Sequence, residues 1–289
     1  MRGRFAAALV AAVVGVPGPV LAEVRVADGL GRPVVLAAPA RRILTLAPSI
    51  TEAVFAVGAG PRVVGASAYS DWPPEAARLP VVSSSAGIDL ESVARLSPDL
   101  VIAWRDSFRV EHIPRLEALG ARVYVDASRT LADVPRLLRD MGALTGQDAA
   151  PAVRDYESRL AAVRRAQAGK PPVSVFLDIS FRPLMTVGGR HFMTEALALC
   201  GARNVFADLA EPAPHVSWEE LHARRPSAIL GAGSPAGEAA FRQAWAGQPG
   251  LEAVQRGRVA YVPSSALGRP SPRVVEGIEA LCLAVDRLR

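Results

Sequence analysis

Short apolar runs alternate with helical stretches twice along this chain, with one long helical stretch between the two sets, and this pattern restricts the fold more than anything else in the sequence. Arg42 to Ala47, Val63 to Ala66, Leu100 to Trp104 and Val123 to Val125 have the length and branched-residue content of buried strands. Pro48-Ser49-Ile50-Thr51-Glu52 opens a helix after the first run, with Ser49 as the expected N-cap and Glu52 three residues on. The alternation returns at Val173 to Leu177, Ala228 to Leu230 and Val259 to Val262. Parallel strands need long crossovers, so short strands separated by helices imply βαβ units. Between the two sets, Asp148 to Ala168 carries Val153, Tyr156, Leu160 and Val163 at steps of three and four, the apolar stripe of one long helix. Gly169 and Pro171-Pro172 end it. The expected fold is α/β, with two lobes, each a parallel central sheet flanked by helices, bridged by that helix. The expected divisions are 23–146, 147–169 and 170–289.

The start of the chain reads as a secretory signal peptide. Arg2 and Arg4 form its positive end, Phe5 to Val14 its apolar segment, and Gly15, Pro17, Gly18 and Pro19 break any helix. Val20-Leu21-Ala22 offers a cleavage site after Ala22. The apolar run is too short to span a bilayer comfortably, and no Cys follows it to carry a lipid. The formal charge of +5 falls to +3 once Arg2 and Arg4 are removed. So small a surplus, spread over dispersed arginines with no dense basic run, leaves no footprint for nucleic acid. Cys200 and Cys282 are the only cysteines. In an exported chain such a pair suggests a disulfide, with two buried free thiols as the other reading.

Enzyme signatures are absent: there is no GxSxG, HExxH or P-loop. Gly231-Ala232-Gly233-Ser234-Pro235-Ala236 follows a strand-like run as a dinucleotide fingerprint does, but Glu252 follows Pro249-Gly250 and ends no strand, so the segment reads as a turn. His112, His191, His215 and His222 form no i, i+4 pair, and no metal site is expected. An exported metal-dependent enzyme stays as the alternative from a different class. Asp89-Leu90-Glu91 and Ser217-Trp218-Glu219 each begin a short helix-like stretch, and each Glu stands seven residues before a Pro, Pro98 or Pro226. Asp89 and Ser217 can N-cap those helices, so Glu91 and Glu219 fall at equivalent first-turn positions, where a carboxylate complements the helix dipole. Tyr69, Trp72, Trp104 and Phe108 lie at or just after the ends of strand-like runs, where open α/β sheets bind ligands. Aromatic faces there suit a large flat ligand or fill local packing. Arg105, Arg182 and Arg269 are candidates for its polar groups.

At Gly65-Ala66-Ser67-Ala68-Tyr69-Ser70-Asp71-Trp72-Pro73-Pro74, at Pro98 to Arg105 and at Ser271-Pro272-Arg273, the chain resembles the periplasmic binding proteins for vitamin B12. These belong to the wider family serving ferric siderophores, haem and cobalamin. The resemblance implies a periplasmic receptor of an ABC importer, monomeric and without catalysis, holding a cobalt corrinoid between its lobes. It implies that Glu91 and Glu219 dock on the permease, which works with an ATPase, and that Cys200 and Cys282 form a disulfide. It places Pro48, Tyr69, Trp104 and Arg105 on the first-lobe side of the cleft. Ser85, before Gly87, stands where the relatives have a Trp. Met185 and Ala213, in Pro212-Ala213-Pro214-His215, stand where they have aromatics, and Ser265-Ala266 replaces an Asp-Trp pair near Arg269. Such a cleft is wider and lined more by hydroxyls and arginine, and haem, with Tyr69 or His215 as axial ligand, or a ferric siderophore is the alternative cargo.

Overall fold

The hairpin β1 (Val24–Ala27) and β2 (Pro33–Leu36) is antiparallel and is closed by Asp28, whose carboxylate accepts from the Leu30 and Arg32 N–H groups. The structure is a computed structural model that describes residues 23–289, so the expected signal peptide and its cleavage site lie outside the described residues. The first lobe continues with β3 (Ile43–Thr45), α1 (Pro48–Ala56), β4 (Val63–Ser67), β5 (Val81–Ser84), β6 (Gly87–Ile88) and α2 (Leu90–Leu96). It ends with β7 (Leu100–Trp104), α3 (Ile113–Ala118), β8 (Arg122–Asp126) and α4 (Val134–Thr145). Its sheet has the order β6-β5-β4-β3-β7-β8, parallel except for the short edge strand β6. The order turns back between β3 and β7, and such a switch leaves a crevice at the carboxyl ends of the strands. Alternation along β7 shows why both faces are covered: Leu100 and Ile102 join a core with α1 and α4, while Val101 and Ala103 join one with α2 and α3.

The helix α1 starts as expected but is capped differently. Its N-cap is Ala47, with no side-chain bond, and Pro48 occupies the first turn. Proline presets the helical φ and has no N–H to leave unsatisfied, so Pro48 takes the first helical position, and the Ala47 carbonyl accepts from the Ile50 and Thr51 N–H groups. Ser49 is buried instead, and Glu52 turns across to the other lobe.

The bridge is α5 (Ala150–Gln167). Val153, Tyr156 and Val163 bury the expected stripe, and Leu160 packs against its edge. The Tyr156 hydroxyl donates to the Leu131 carbonyl at 2.8 Å on the first-lobe side, while Arg159 pairs with Glu279 at 2.9 Å on the second. Glycines in the left-handed region flank the helix: Gly146 at φ +65° ends α4, and Gly169 at φ +77° follows α5.

The second lobe runs through β9 (Val173–Asp178), β10 (Ser180–Phe181), β11 (Leu184–Met185), α6 (Phe192–Leu199) and β12 (Ala202–Asn204). Then come α7 (Trp218–Arg224), β13 (Ala228–Ala232), α8 (Glu238–Ala246), α9 (Glu252–Gln255), β14 (Val259–Val262) and α10 (Val274–Arg287). Its sheet is wholly parallel in the order β12-β9-β13-β14. Trp245, fully buried on α8, gathers Phe176, Phe181, Trp218 and Phe241 around it at centroid distances of 5.3–6.3 Å. Cys200, at the end of α6, is bonded to Cys282 on α10, closing a loop of 82 residues. In the chain-entropy view, a loop of that size restrains the unfolded chain by about 4.5 kcal/mol. No helix among the described residues is long and apolar enough to cross a membrane.

Candidate ligand cleft

The carboxyl ends of β3, β4 and β5, with the turn after β7, enclose a cavity of about 530 Å³. Four of the expected ligand residues line it: Pro48, Tyr69, Ser85 and Gly87. Tyr69 follows β4 with φ +64°, a conformation rare and costly for an aromatic residue, and the residue is left 82% exposed at the cavity. Gly87 turns the chain from β5 to β6 at φ +123°, which suits glycine. Ser107, Arg109 and His112, in the turn after β7, also line the cavity. The sequence reading did not single these out as ligand residues. Their place just beyond a strand's carboxyl end is the signal that finds them.

Trp104 and Arg105 close β7 but do not line that cavity. The Trp104 indole packs against the main core and donates to the Ser128 carbonyl at 3.0 Å. That satisfies its only polar atom within the first lobe. Arg105 is exposed and its guanidinium has no bond to another described residue.

The two lobes are tied beside the cavity by Glu52, whose side chain is 2% exposed. Arg269 pairs with Glu52 at 2.7 Å and Asp71 at 2.8 Å, and it donates to the Tyr69 carbonyl at 3.1 Å. Arg273 reaches the same Glu52 oxygen at 3.2 Å, and the Ser271 hydroxyl donates to the other. The Arg273 guanidinium also lies over the Trp72 ring, 4.4 Å from its centroid. Partial burial works against ionisation of Asp71, but Arg269 beside it holds the carboxyl below its usual range. Arg269 was expected to meet the ligand; its guanidinium is occupied by the joint instead, because a buried carboxylate demands compensation. Ser265 lies at the edge of this joint, its hydroxyl 3.5 Å from the Arg273 guanidinium.

A second cavity of about 700 Å³ lies between the β10–β11 hairpin and α8, with Asp178, Ser180, Arg182, Gln243 and Tyr261 among its walls. Asp178, at the carboxyl end of β9, is 7% exposed. One carboxylate oxygen accepts from the Trp245 indole at 2.7 Å and the other has no partner. Burial pushes this carboxyl up to about 6. Met185 and the exposed His215 are brought together as a lone antiparallel bridge on the flank of that hairpin, outside the cavity walls.

The repeated helices are the clearest match between sequence and structure. Asp89 caps α2, and Ser217 caps α7 in a reciprocal box with Glu220. Each helix has seven residues and ends on a left-handed residue, Ser97 or Arg225, just before Pro98 or Pro226. Glu91 and Glu219 occupy the same first-turn position, one on each lobe, and both are exposed. Among the described residues, no group of three or more His, Cys, Asp or Glu is placed to hold a metal ion.

Two α/β lobes on a single bridging helix, with cavities at the carboxyl ends of their strands, define a two-lobed ligand-binding protein. The chain belongs to the periplasmic binding protein family, whose sequence pattern matches residues 43–266. It is 36% identical to the vitamin B12-binding protein of Salmonella typhimurium over 257 residues, 86% of this chain and 91% of that one. Its fold matches the crystal structure of the periplasmic vitamin B12 binding protein of Vibrio cholerae with a TM-score of 0.78 and 32% identity, over 86% of this chain and 98% of that one. A periplasmic heme binding protein from Pseudomonas aeruginosa matches with a TM-score of 0.74 and 27% identity, over 85% and 92% of the two chains.

Proposed function

We propose that this protein is a periplasmic receptor that binds a corrinoid, cobalamin or a relative, and delivers it to an ABC permease and its ATPase. The corrinoid is cargo rather than cofactor, the protein acts as a monomer, and no catalysis is involved. Export follows from cleavage after Ala22, leaving lobes at 23–146 and 170–289 joined by 147–169. The observation that carries the receptor reading is Tyr69, an exposed ring held on strained backbone at the cavity beside the inter-lobe joint. Strained residues persist where the surrounding structure fixes them, and they concentrate at ligand sites. The corrinoid is supported by the similarity to vitamin B12-binding proteins along most of both chains.

In this reading the Tyr69 ring stacks on the macrocycle, while Pro48, Ser85 and Gly87 shape the floor. Trp104 braces the floor from behind, and Arg105 is free to meet a polar arm. Met185, His215 and Ser265 stand on the second-lobe side, and Arg269 acts by holding the Tyr69 carbonyl. Glu91 and Glu219 dock on the permease, and two carboxylates on separate lobes set a two-point register. Haem is the second reading, favoured by the Tyr69 phenol at the cavity, a group able to ligate ferric iron. Titration calorimetry of the mature chain with cyanocobalamin, haemin and a ferric siderophore decides among them. The expected result is a corrinoid Kd of about 1 μM or tighter. Absence of corrinoid binding would overturn the ligand assignment, and binding of haemin alone would replace it.

A further inference from the structure

We propose that Arg109, with His112 and the serine hydroxyls that line the same cavity, makes the first-lobe cavity an anion-accepting site that takes a phosphate or carboxylate carried on an arm of the ligand. The inference rests on the cavity being the ligand site. No carboxylate lines that cavity, and Arg109 and His112 are its cationic and imidazole groups. The Arg109 guanidinium has no hydrogen bond or ion pair to any described residue. None of the carboxylates of the neighbouring segments, Asp89, Asp106 and Glu111, is among the cavity's lining residues. Asp106 is paired with Arg129 at 2.6 Å, and Asp89 is taken up by Ser92 at the start of α2. Glu111, in the same turn as Arg109, does not line the cavity. Of the other arginines at this end of the molecule, Arg129, Arg269 and Arg273 hold carboxylates, and Arg105, unpaired like Arg109, does not line the cavity.

Hydroxyl donors complete the site. The Ser83 and Ser85 side chains line the cavity, and their hydroxyls have no hydrogen-bond partner among the described residues. Ser84 accepts from the Ala86 N–H at 3.2 Å and keeps its own proton to donate. A planar guanidinium offers two parallel N–H groups to a carboxylate or phosphate, and hydroxyls donate to the oxygens that remain. The small Ser85, where the resemblance leads one to expect a bulky indole, leaves room for such an arm to enter.

The test compares pairs of ligands of which one carries anionic groups on its arms and the other lacks them. Cyanocobalamin carries a phosphodiester in its nucleotide loop and cobinamide lacks it; haemin carries two carboxylates and its dimethyl ester none. Each is titrated against the wild-type mature chain, Arg109→Ala and His112→Gln. Arg109→Ala is expected to weaken the phosphate- or carboxylate-bearing member of one pair by about tenfold or more, and to leave the member without that group within about twofold. Loss confined to cyanocobalamin identifies a phosphate, and loss confined to haemin a carboxylate. The weakening should shrink as salt is raised, and His112→Gln should give a smaller loss of the same pattern. Equal loss on both members of a pair, or no loss on either, overturns the inference while leaving the receptor reading in place. Failure of the wild type to bind any of the four macrocycles overturns the reading itself and the inference with it. Arg109 is exposed and unpaired, so an unchanged thermal midpoint confirms that the variant is folded.

Discussion

Asp178 is buried and His191 half-buried in the second lobe, and their loss of contact with water disfavours the charged form of each. It pushes the Asp178 carboxyl up to about 6 and the His191 imidazole down to about 4, the latter against an opposing pull from Asp106. His191 precedes α6, and its Nδ1 accepts from the Met193 N–H at 3.2 Å, which requires that nitrogen to be unprotonated. The pH signs are opposite. Folded Asp178 holds a proton that the unfolded chain releases between about 4 and 6, so its stabilisation is lost as pH rises through that window. Folded His191 refuses a proton that the unfolded chain accepts, so stability is lost as pH falls from about 6.5 to about 4. The two offset in the wild type and separate in variants. Asp178→Asn is expected to stabilise by on the order of 1–3 kcal/mol at about pH 7.5 and by little at about pH 4. His191→Asn, which can still accept the Met193 N–H, is expected to protect only below about pH 6. Urea unfolding across that range checks both, and a pH-independent gain for Asp178→Asn would contradict the assignment. Nothing in the sequence distinguishes Asp178, because a carboxylate ending an apolar run reads as a strand terminus until the fold brings Trp245 to it.

Elements were legible where their period was strong. The strands β3, β4, β7, β8, β9, β13 and β14 and the helix α5 follow from apolar runs and one stripe, whereas β5, β6, β12 and the β10–β11 hairpin are too short or too mixed to carry such a signal. The cap of α1 was misjudged because Pro48 begins the helix one residue earlier, which places Ser49 inside the first turn and leaves the Ala47 carbonyl to accept from the Ile50 and Thr51 N–H groups. The repeat that ends at Pro98 and Pro226 was read correctly because a cap, an apolar turn and a proline are local chemistry. In the structure it yields two equal helices with a carboxylate standing free on each, the Glu91 side chain being 91% exposed. Glu91 has one weak contact, Arg95 at 3.8 Å, which contributes little at so exposed a site. Replacing both Glu91 and Glu219 by Arg is therefore expected to leave folding and ligand affinity unchanged. It should weaken association with the reconstituted permease by about tenfold or more, mainly through the on-rate at low salt. Undiminished association, measured by surface capture at low and high salt, would rule the docking role out.

Across the whole molecule, the joint at Glu52 was invisible to sequence reading, since its partners lie 217 to 221 residues away. Removing one member of a buried ion cluster leaves the others uncompensated, so Glu52→Gln is expected to destabilise the protein by about 3 kcal/mol. It should also raise hydrogen exchange around Tyr69 and Arg269, which depend on each other for their placement. A variant with wild-type exchange there would show that the lobes do not rely on this joint. Beyond the joint, the chain crosses between lobes once, through α5. In mechanical terms α5 is a strut of about 27 Å pinned at two glycines. A strut can swing at its pins but cannot stretch, so whatever twists one lobe against the other must turn the backbone at Gly146 and Gly169 and break the Glu52 joint in the same stroke.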